Sequence, residues 1–192
     1  MKSKATTPKA SEPDGRPPIP VDAIRDVLES SQTVLVASHV DPDGDALGTL
    51  LASTAYLRSV GKQVLAVRDS DIPAKYRFLP GTDSILRYCD LPSDTQVDTA
   101  LILECPHLDR VGRVQSLLTD SVRVINVDHH RDNAQFGTIN WVDLEASSVG
   151  ELMYEYLIRT GYEITAHDAT CPNTPSLTHT RSFRTAQTSP RT

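Results

Sequence analysis

Three cysteines in 192 residues, Cys89, Cys105 and Cys171, are too few and too far apart for a disulfide framework, and their odd number fits a reducing cytoplasm. No apolar run approaches the roughly 18 residues that a membrane-spanning helix needs, and no internal repeat is visible. Basic charge is also scarce. The 19 Lys and Arg residues are outnumbered by 25 Asp and Glu, for a net charge of −6, which argues against tracking along long nucleic acid. Short, phosphate-terminated ligands stay open, because a bound cation supplies the positive charge that the surface lacks. Residues 1–20 carry Pro8, Pro13, Pro17, Pro18 and Pro20 among lysines, serines and threonines. They contain no apolar core of a signal peptide and read as a disordered leader.

Alternating strands and helices make up the rest. Residues 33–38, 63–67, 98–104 and 122–127 are short β-rich apolar runs. Ile24, Val27 and Leu28 recur at helical spacing behind Asp22, a candidate N-cap. A second helix is expected over 46–59, with Leu47, Leu50, Leu51, Thr54, Tyr56 and Leu57 partly on one face and Gly61 as its stop. A third is expected over 147–160, carrying Leu152, Tyr156 and Leu157. This order predicts an α/β fold in which helices flank a parallel sheet, with room for one domain of ordinary size. Phe78-Leu79-Pro80-Gly81 reads as a loop anchored by its aromatic. Periodicity ends near Tyr162, and threonine, serine, proline and arginine dominate beyond it, with Pro172 and Pro175 restricting the backbone. The domain is therefore placed at 21–161, followed by an irregular tail over 162–192.

Two acidic histidine clusters close two of the strands. His39-Val40-Asp41-Pro42-Asp43-Gly44-Asp45 follows the first run, and Asp128-His129-His130 follows the fourth. Taken singly, His39 is an ordinary loop histidine and Asp-Pro-Asp-Gly-Asp an ordinary turn. Together, at the carboxyl ends where open parallel sheets bind ligands, they point to one metal site. Gly44 allows a tight turn that would send Asp43 and Asp45 to neighbouring cations.

With these motifs in order the chain resembles the DHH phosphoesterase family, nearest to its nanoRNase and pAp-phosphatase branch. The resemblance runs from about Val21 to Gly161 and comprises three motifs: Ser38-His39 through Gly48; Leu103-Glu104-Cys105-Pro106 with Leu108-Asp109-Arg110-Val111-Gly112; and Val127-Asp128-His129-His130. Asn133, Phe136-Gly137, Asn140, Asp143 and Ala146-Ser147-Ser148 follow in the family's order. The resemblance implies a Rossmann-like domain and a phosphoester hydrolase with two Mn2+ ions, or Mg2+ or Co2+ in their place. The substrates it implies are short oligoribonucleotides or nucleoside bisphosphates. It implies that His39 and Asp43 hold one ion, Asp45 and His129 the other, that Glu104 bridges them, and that His130 faces the substrate phosphate. Asp128 is expected to orient a metal-bound imidazole, or else is a plain loop residue. Arg110 suits a phosphate oxygen, or else is a surface residue beside Asp109.

The chain departs from the family's pattern in places. Glu104 stands where many members carry aspartate, and its longer stem still bridges two cations. Cys105 is read as a buried thiol rather than a soft ligand. In the fourth motif, Thr178-His179-Thr180-Arg181-Ser182-Phe183-Arg184 replaces the family's aspartate by His179 and its glycine by Arg181. Imidazole ligates manganese or zinc, so His179 is a candidate metal ligand, against loss of function or a scrambled reading frame. Nothing matches the family's second domain with its Gly-Gly-His motif, so a truncated, inactive or partner-dependent copy is the alternative expectation. A non-catalytic remnant and a pyrophosphatase-like hydrolase are the competing functional readings. Homodimerisation is left open, and His107 and His167 read as surface residues.

Overall fold

The computed structural model describes residues 18–163. The expected leader up to residue 17 and the expected tail from residue 164, with His167, Cys171 and His179, lie outside the described residues. Six parallel strands form one sheet: β1 (Thr33–Ala37), β2 (Gln63–Arg68), β3 (Leu86–Arg87), β4 (Thr99–Leu103), β5 (Arg123–Asp128) and β6 (Ile139–Val142). Their spatial order is β3-β2-β1-β4-β5-β6. The order reverses between β1 and β4, where such a sheet leaves a crevice beyond its carboxyl ends. In register, Leu35 pairs with Ala100, Leu101 with Ile125, and Ile125 with Ile139.

Alternation along the central strands divides the core in two. Val34, Val36, Leu101 and Leu103 face helices α1 (Val21–Glu29), α2 (Gly44–Ser59) and α3 (Val149–Arg159). Leu35, Ala37, Ala100 and Ile102 point the other way, toward Val111 and Val114. That second face is covered by 3-10 turns over Leu108–Leu117, which reverse at Gly112 (φ 64°), rather than by an α-helix. Both faces of β1 and β4 are buried, so these strands read as continuous apolar runs rather than alternating ones.

The α2 helix begins two residues before the expected start. Asp43 is its N-cap, accepting from the Ala46 N–H at 3.0 Å, so Gly44 and Asp45 form its first turn instead of a loop. Aspartate and glycine favour both turns and helix starts, and here the cap wins. The expected one-sided face is also corrected: Gly44 through Thr54, Tyr56 and Leu57 are all buried, because α2 lies between the sheet and α3. Each buried leucine there contributes about 1.5–3 kcal/mol. Asp22 does not cap α1. Pro20 holds that position, and Asp22 sits in the first turn paired with Arg25.

Phe78 is no anchor: it is 71% exposed, while Tyr76 and Leu79 on either side of it are buried. Two short strands, β3 and β6, were not legible as runs. Among the described residues no helix is long and apolar enough to cross a membrane.

Candidate metal centre

Four elements deliver the motif residues to one end of the sheet. His39 follows β1, Asp43 and Asp45 open α2, Glu104 follows β4, and Asp128 ends β5 with His129 and His130 behind it. Glu104 leaves β4 in the left-handed region (φ 58°) with only 2% exposure. A non-glycine residue held there costs of order 1–3 kcal/mol, strain that clusters at functional sites. Its N–H still bonds to the Val127 carbonyl at 3.1 Å. The ladder therefore runs one residue past the strand while the side chain turns toward β5.

The histidines share one arrangement. Nδ1 of His39 donates to its neighbour's carbonyl, Val40 O, at 2.8 Å, and Nδ1 of His129 donates to Ala146 O at 3.0 Å. Nδ1 of His130 donates to Asp128 Oδ1 at 2.8 Å. Carbonyl and carboxylate oxygens only accept, so these contacts place a proton on each Nδ1 and leave the Nε2 lone pair outward, available to ligate a metal. Each Nε2 faces a carboxylate: His39 to Asp43 Oδ1 at 4.0 Å, His129 to Glu104 Oε1 at 3.3 Å and His130 to the same oxygen at 3.9 Å. Glu104, His129 and His130 each offer a ligand atom, and these atoms lie within 4.8 Å of one another. Two imidazoles and a carboxylate suit a divalent cation of borderline hardness, so the residues present fit a metal.

Electrostatics support the same reading. Burial alone would pull His129 down, but the hydrogen bond and charge of Glu104, with the Ala146 carbonyl and Asp45 behind them, lift its pKa to about 9. His130 is raised chiefly by its bond to Asp128. Burial pushes Asp128 up, and bonds from His130 and Asn133 outweigh it and hold the carboxyl below its usual range. Without a cation, protons on the imidazoles stand in for one.

The first-motif carboxylates are differently engaged. Asp45 is fully buried, and its oxygens accept from Val149 N and Gly150 N at 2.8 and 2.9 Å and from Thr49 Oγ1 at 3.0 Å. It thus receives the N-terminus of α3, where backbone donors and the helix dipole favour an anion. Ser148 caps the same helix by accepting from Glu151 N. The turn at 143–146 places the Ala146 carbonyl under His129.

The structure brings Glu104, His129 and His130 together, sets His39 against Asp43, and turns Asp45 to α3 within reach of His129's charge. Arg110 is exposed, and its carbonyl accepts from Val40 N at 2.7 Å, tying the second motif to the first. Gly112 is required beside it, because a Cβ there would lie 2.4 Å from Asp69 Oδ2 and 2.8 Å from Val40 Cγ1. Cys105 is buried, which raises its thiol pKa. His107 is exposed. Sequence reasoning passed over Asn126, a fully buried polar residue inside the β5 run; the signal was its presence among apolar neighbours.

Comparison with known proteins gives a consistent picture. Residues 33–175 match the model of the DHH family, N-terminal domain. The chain is 32% identical over 183 residues to the bifunctional oligoribonuclease and PAP phosphatase NrnA of Thermus thermophilus, covering 92% of this chain and 54% of the relative. It is 28% identical over 127 residues to the Bacillus subtilis protein of the same name, covering 64% of this chain and 37% of that one. The chain thus spans about half or less of these relatives' length. The crystal structure of an exopolyphosphatase-related protein from Bacteroides fragilis superposes with a TM-score of 0.82 at 28% identity, covering 88% of this chain and 52% of that one.

Proposed function

The chain belongs to the DHH family, and on that premise we propose that it is a metal-dependent phosphoesterase acting on short oligoribonucleotides or on 3′-phosphoadenosine 5′-phosphate. The observation that carries this reading is the convergence of Glu104, His129 and His130 at the carboxyl end of β4 and β5. Likeness to two oligoribonuclease and PAP phosphatase proteins supplies the substrate class. The expected metal is Mn2+, two ions per site, with Mg2+ or Co2+ as substitutes, and the expected setting is a reducing cytoplasm.

Glu104 and His129 are the central ligands in this reading. His130, first expected to face the phosphate, has its Nε2 on the same carboxylate and is counted with them. His39 and Asp43 would extend the site on the β1 side. Asp45 would join them from the first turn of α2, where its charge already acts on His129. Bound divalent cations would activate a water and stabilise the attacking and leaving oxygens of the phosphoryl group. Asp128 keeps His130 in one tautomer throughout, and the amide-rich start of α2 lies where phosphate oxygens would arrive. Arg110 would reach a phosphate from the rim, and His179 remains a candidate ligand outside the described residues.

Similarity to the exopolyphosphatase-related structure favours a phosphoanhydride as the second substrate class. The test is hydrolysis of 5′-phosphorylated diadenylate, pAp and pyrophosphate by the folded chain, with and without Mn2+, alongside Asp43→Ala. Mn2+-dependent turnover of the first two, lost in the variant, is expected. Turnover of pyrophosphate alone would select the second class, and a folded, metal-binding chain that hydrolyses none would be a non-catalytic member.

A further inference from the structure

Asn126 is fully buried between Ile125 and Val127 in β5, where a valine would serve the core. A buried amide is costly unless hydrogen-bonded, and this one is. Its Nδ2 donates to Cys105 O at 3.1 Å and Ile102 O at 3.4 Å. Its Oδ1 accepts from Asn133 Nδ2 at 2.8 Å. The same Asn133 nitrogen donates to Asp128 Oδ2 at 2.6 Å and lies 3.4 Å from Cys105 O. Asn133 Oδ1 in turn accepts from Gln135 N at 2.7 Å, which holds the amide in that orientation.

The two asparagines therefore grip both sides of the triad. One end of the network fixes the carbonyl of Cys105, directly after Glu104 with its left-handed backbone. The other fixes the Asp128 oxygen opposite the one that holds His130 Nδ1. We propose that Asn126 and Asn133 are positioning residues, a clamp that sets the Glu104 carboxylate and the His130 imidazole at the spacing a divalent cation needs, so that Asn133 governs metal affinity without touching the metal. This rests on the metal-dependent reading of the site and holds whether or not the chain turns a substrate over. Removing the Asn133 amide takes a donor from both Asp128 Oδ2 and Asn126 Oδ1. His130 then loses its rigid support and Cys105 one of its ties.

The test is Mn2+ titration by calorimetry into the metal-free 192-residue chain, as wild type, Asn133→Ala, Asn133→Gln and Asn140→Ala, with a thermal melt of each. Asn140 exchanges hydrogen bonds with Gly137 in the neighbouring loop, so its variant reports loop stability alone. Asn133→Ala is expected to bind Mn2+ about 10-fold or more weakly, the usual cost of removing support from a metal ligand. Asn133→Gln, which restores the amide, should recover most of the affinity, and Asn140→Ala should leave it unchanged while lowering Tm. Wild-type affinity in Asn133→Ala overturns the clamp, and so does an equal loss in Asn140→Ala. If Asn133→Ala gives no cooperative melt, Asn133→Leu, which keeps the volume and removes the amide without adding charge, replaces it with the same two outcomes. A wild-type chain that binds Mn2+ yet hydrolyses nothing sinks the phosphoesterase reading and leaves the clamp to be decided by the titration. One that binds no Mn2+ sinks both.

Discussion

The β4–β5 half of the site and the β1–α2 half carry similar residues in different states. In the first, three ligand atoms from Glu104, His129 and His130 already converge, and strain, burial and raised histidine pKa values mark the cost of holding them together. In the second, the carboxylates also serve the fold: Asp43 caps α2, and Asp45 receives the N-terminus of α3 from 104 residues away in sequence. The same side-chain chemistry thus gathers three potential metal-ligand atoms at one end and ties two helices at the other. An acidic motif in a sequence does not say which.

That contrast can be broken most directly at Asp45. Asp45→Ala would orphan two buried N–H groups of α3 and the Thr49 hydroxyl, so urea unfolding of the metal-free chain should show a loss of about 4 kcal/mol. A loss under about 1 kcal/mol would mean that α3 does not depend on it. Next in size is Gly112→Ala, at the junction between the halves. Left-handed strain and the close approach of Asp69 and Val40 predict about 2 kcal/mol of destabilisation, read from the same unfolding curves.

Proton competition sharpens the comparison further. His129 titrates near 9 without metal, against an ordinary 6.5. Its folded pKa is raised, so the imidazolium–Glu104 pair stabilises the metal-free chain fully below about pH 6.5 and is lost as pH rises through about 9. A cation must displace that proton, so Mn2+ affinity should climb about tenfold per pH unit between 7 and 8.5 for one proton released. Melts between pH 7 and 8.5 should therefore fall with rising pH without Mn2+ and stay level at saturating Mn2+, where the gain in affinity offsets the lost ion pair. The smallest effect is expected at Phe78→Ala, which should stay within about 0.5 kcal/mol of wild type because the ring is exposed.

Much of this was legible in the sequence. The four central strands stand out as apolar runs, most completely β1 and β4, whose faces are both buried, and their expected limits fall within one residue of those observed. Two clusters of the site, at 39–45 and 128–130, could be read as strand-end motifs, and the family resemblance supplied Glu104 and the fold. What escaped depends on contacts that no local pattern contains. Leu86–Arg87 and Ile139–Val142 are short edge elements with little apolar signal, visible only through their partners. Asp-Gly-Asp is as good a helix start as a turn, and packing against α3 decides. The destination of Asp45, the burial of Tyr76 and Leu79 in place of Phe78, and the bonds of Asn126 are likewise tertiary facts.

In the proposed function Glu104 anchors a divalent cation with His129 and His130. Calorimetric titration of Mn2+ into the wild-type chain and Glu104→Gln, a near-isosteric change that removes the charge and exchanges one acceptor oxygen for an amide nitrogen, is the decisive measurement. The variant is expected to bind at least about 100-fold more weakly, some 2.8 kcal/mol, at unchanged helicity. Equal affinity in the two proteins would contradict that role of Glu104.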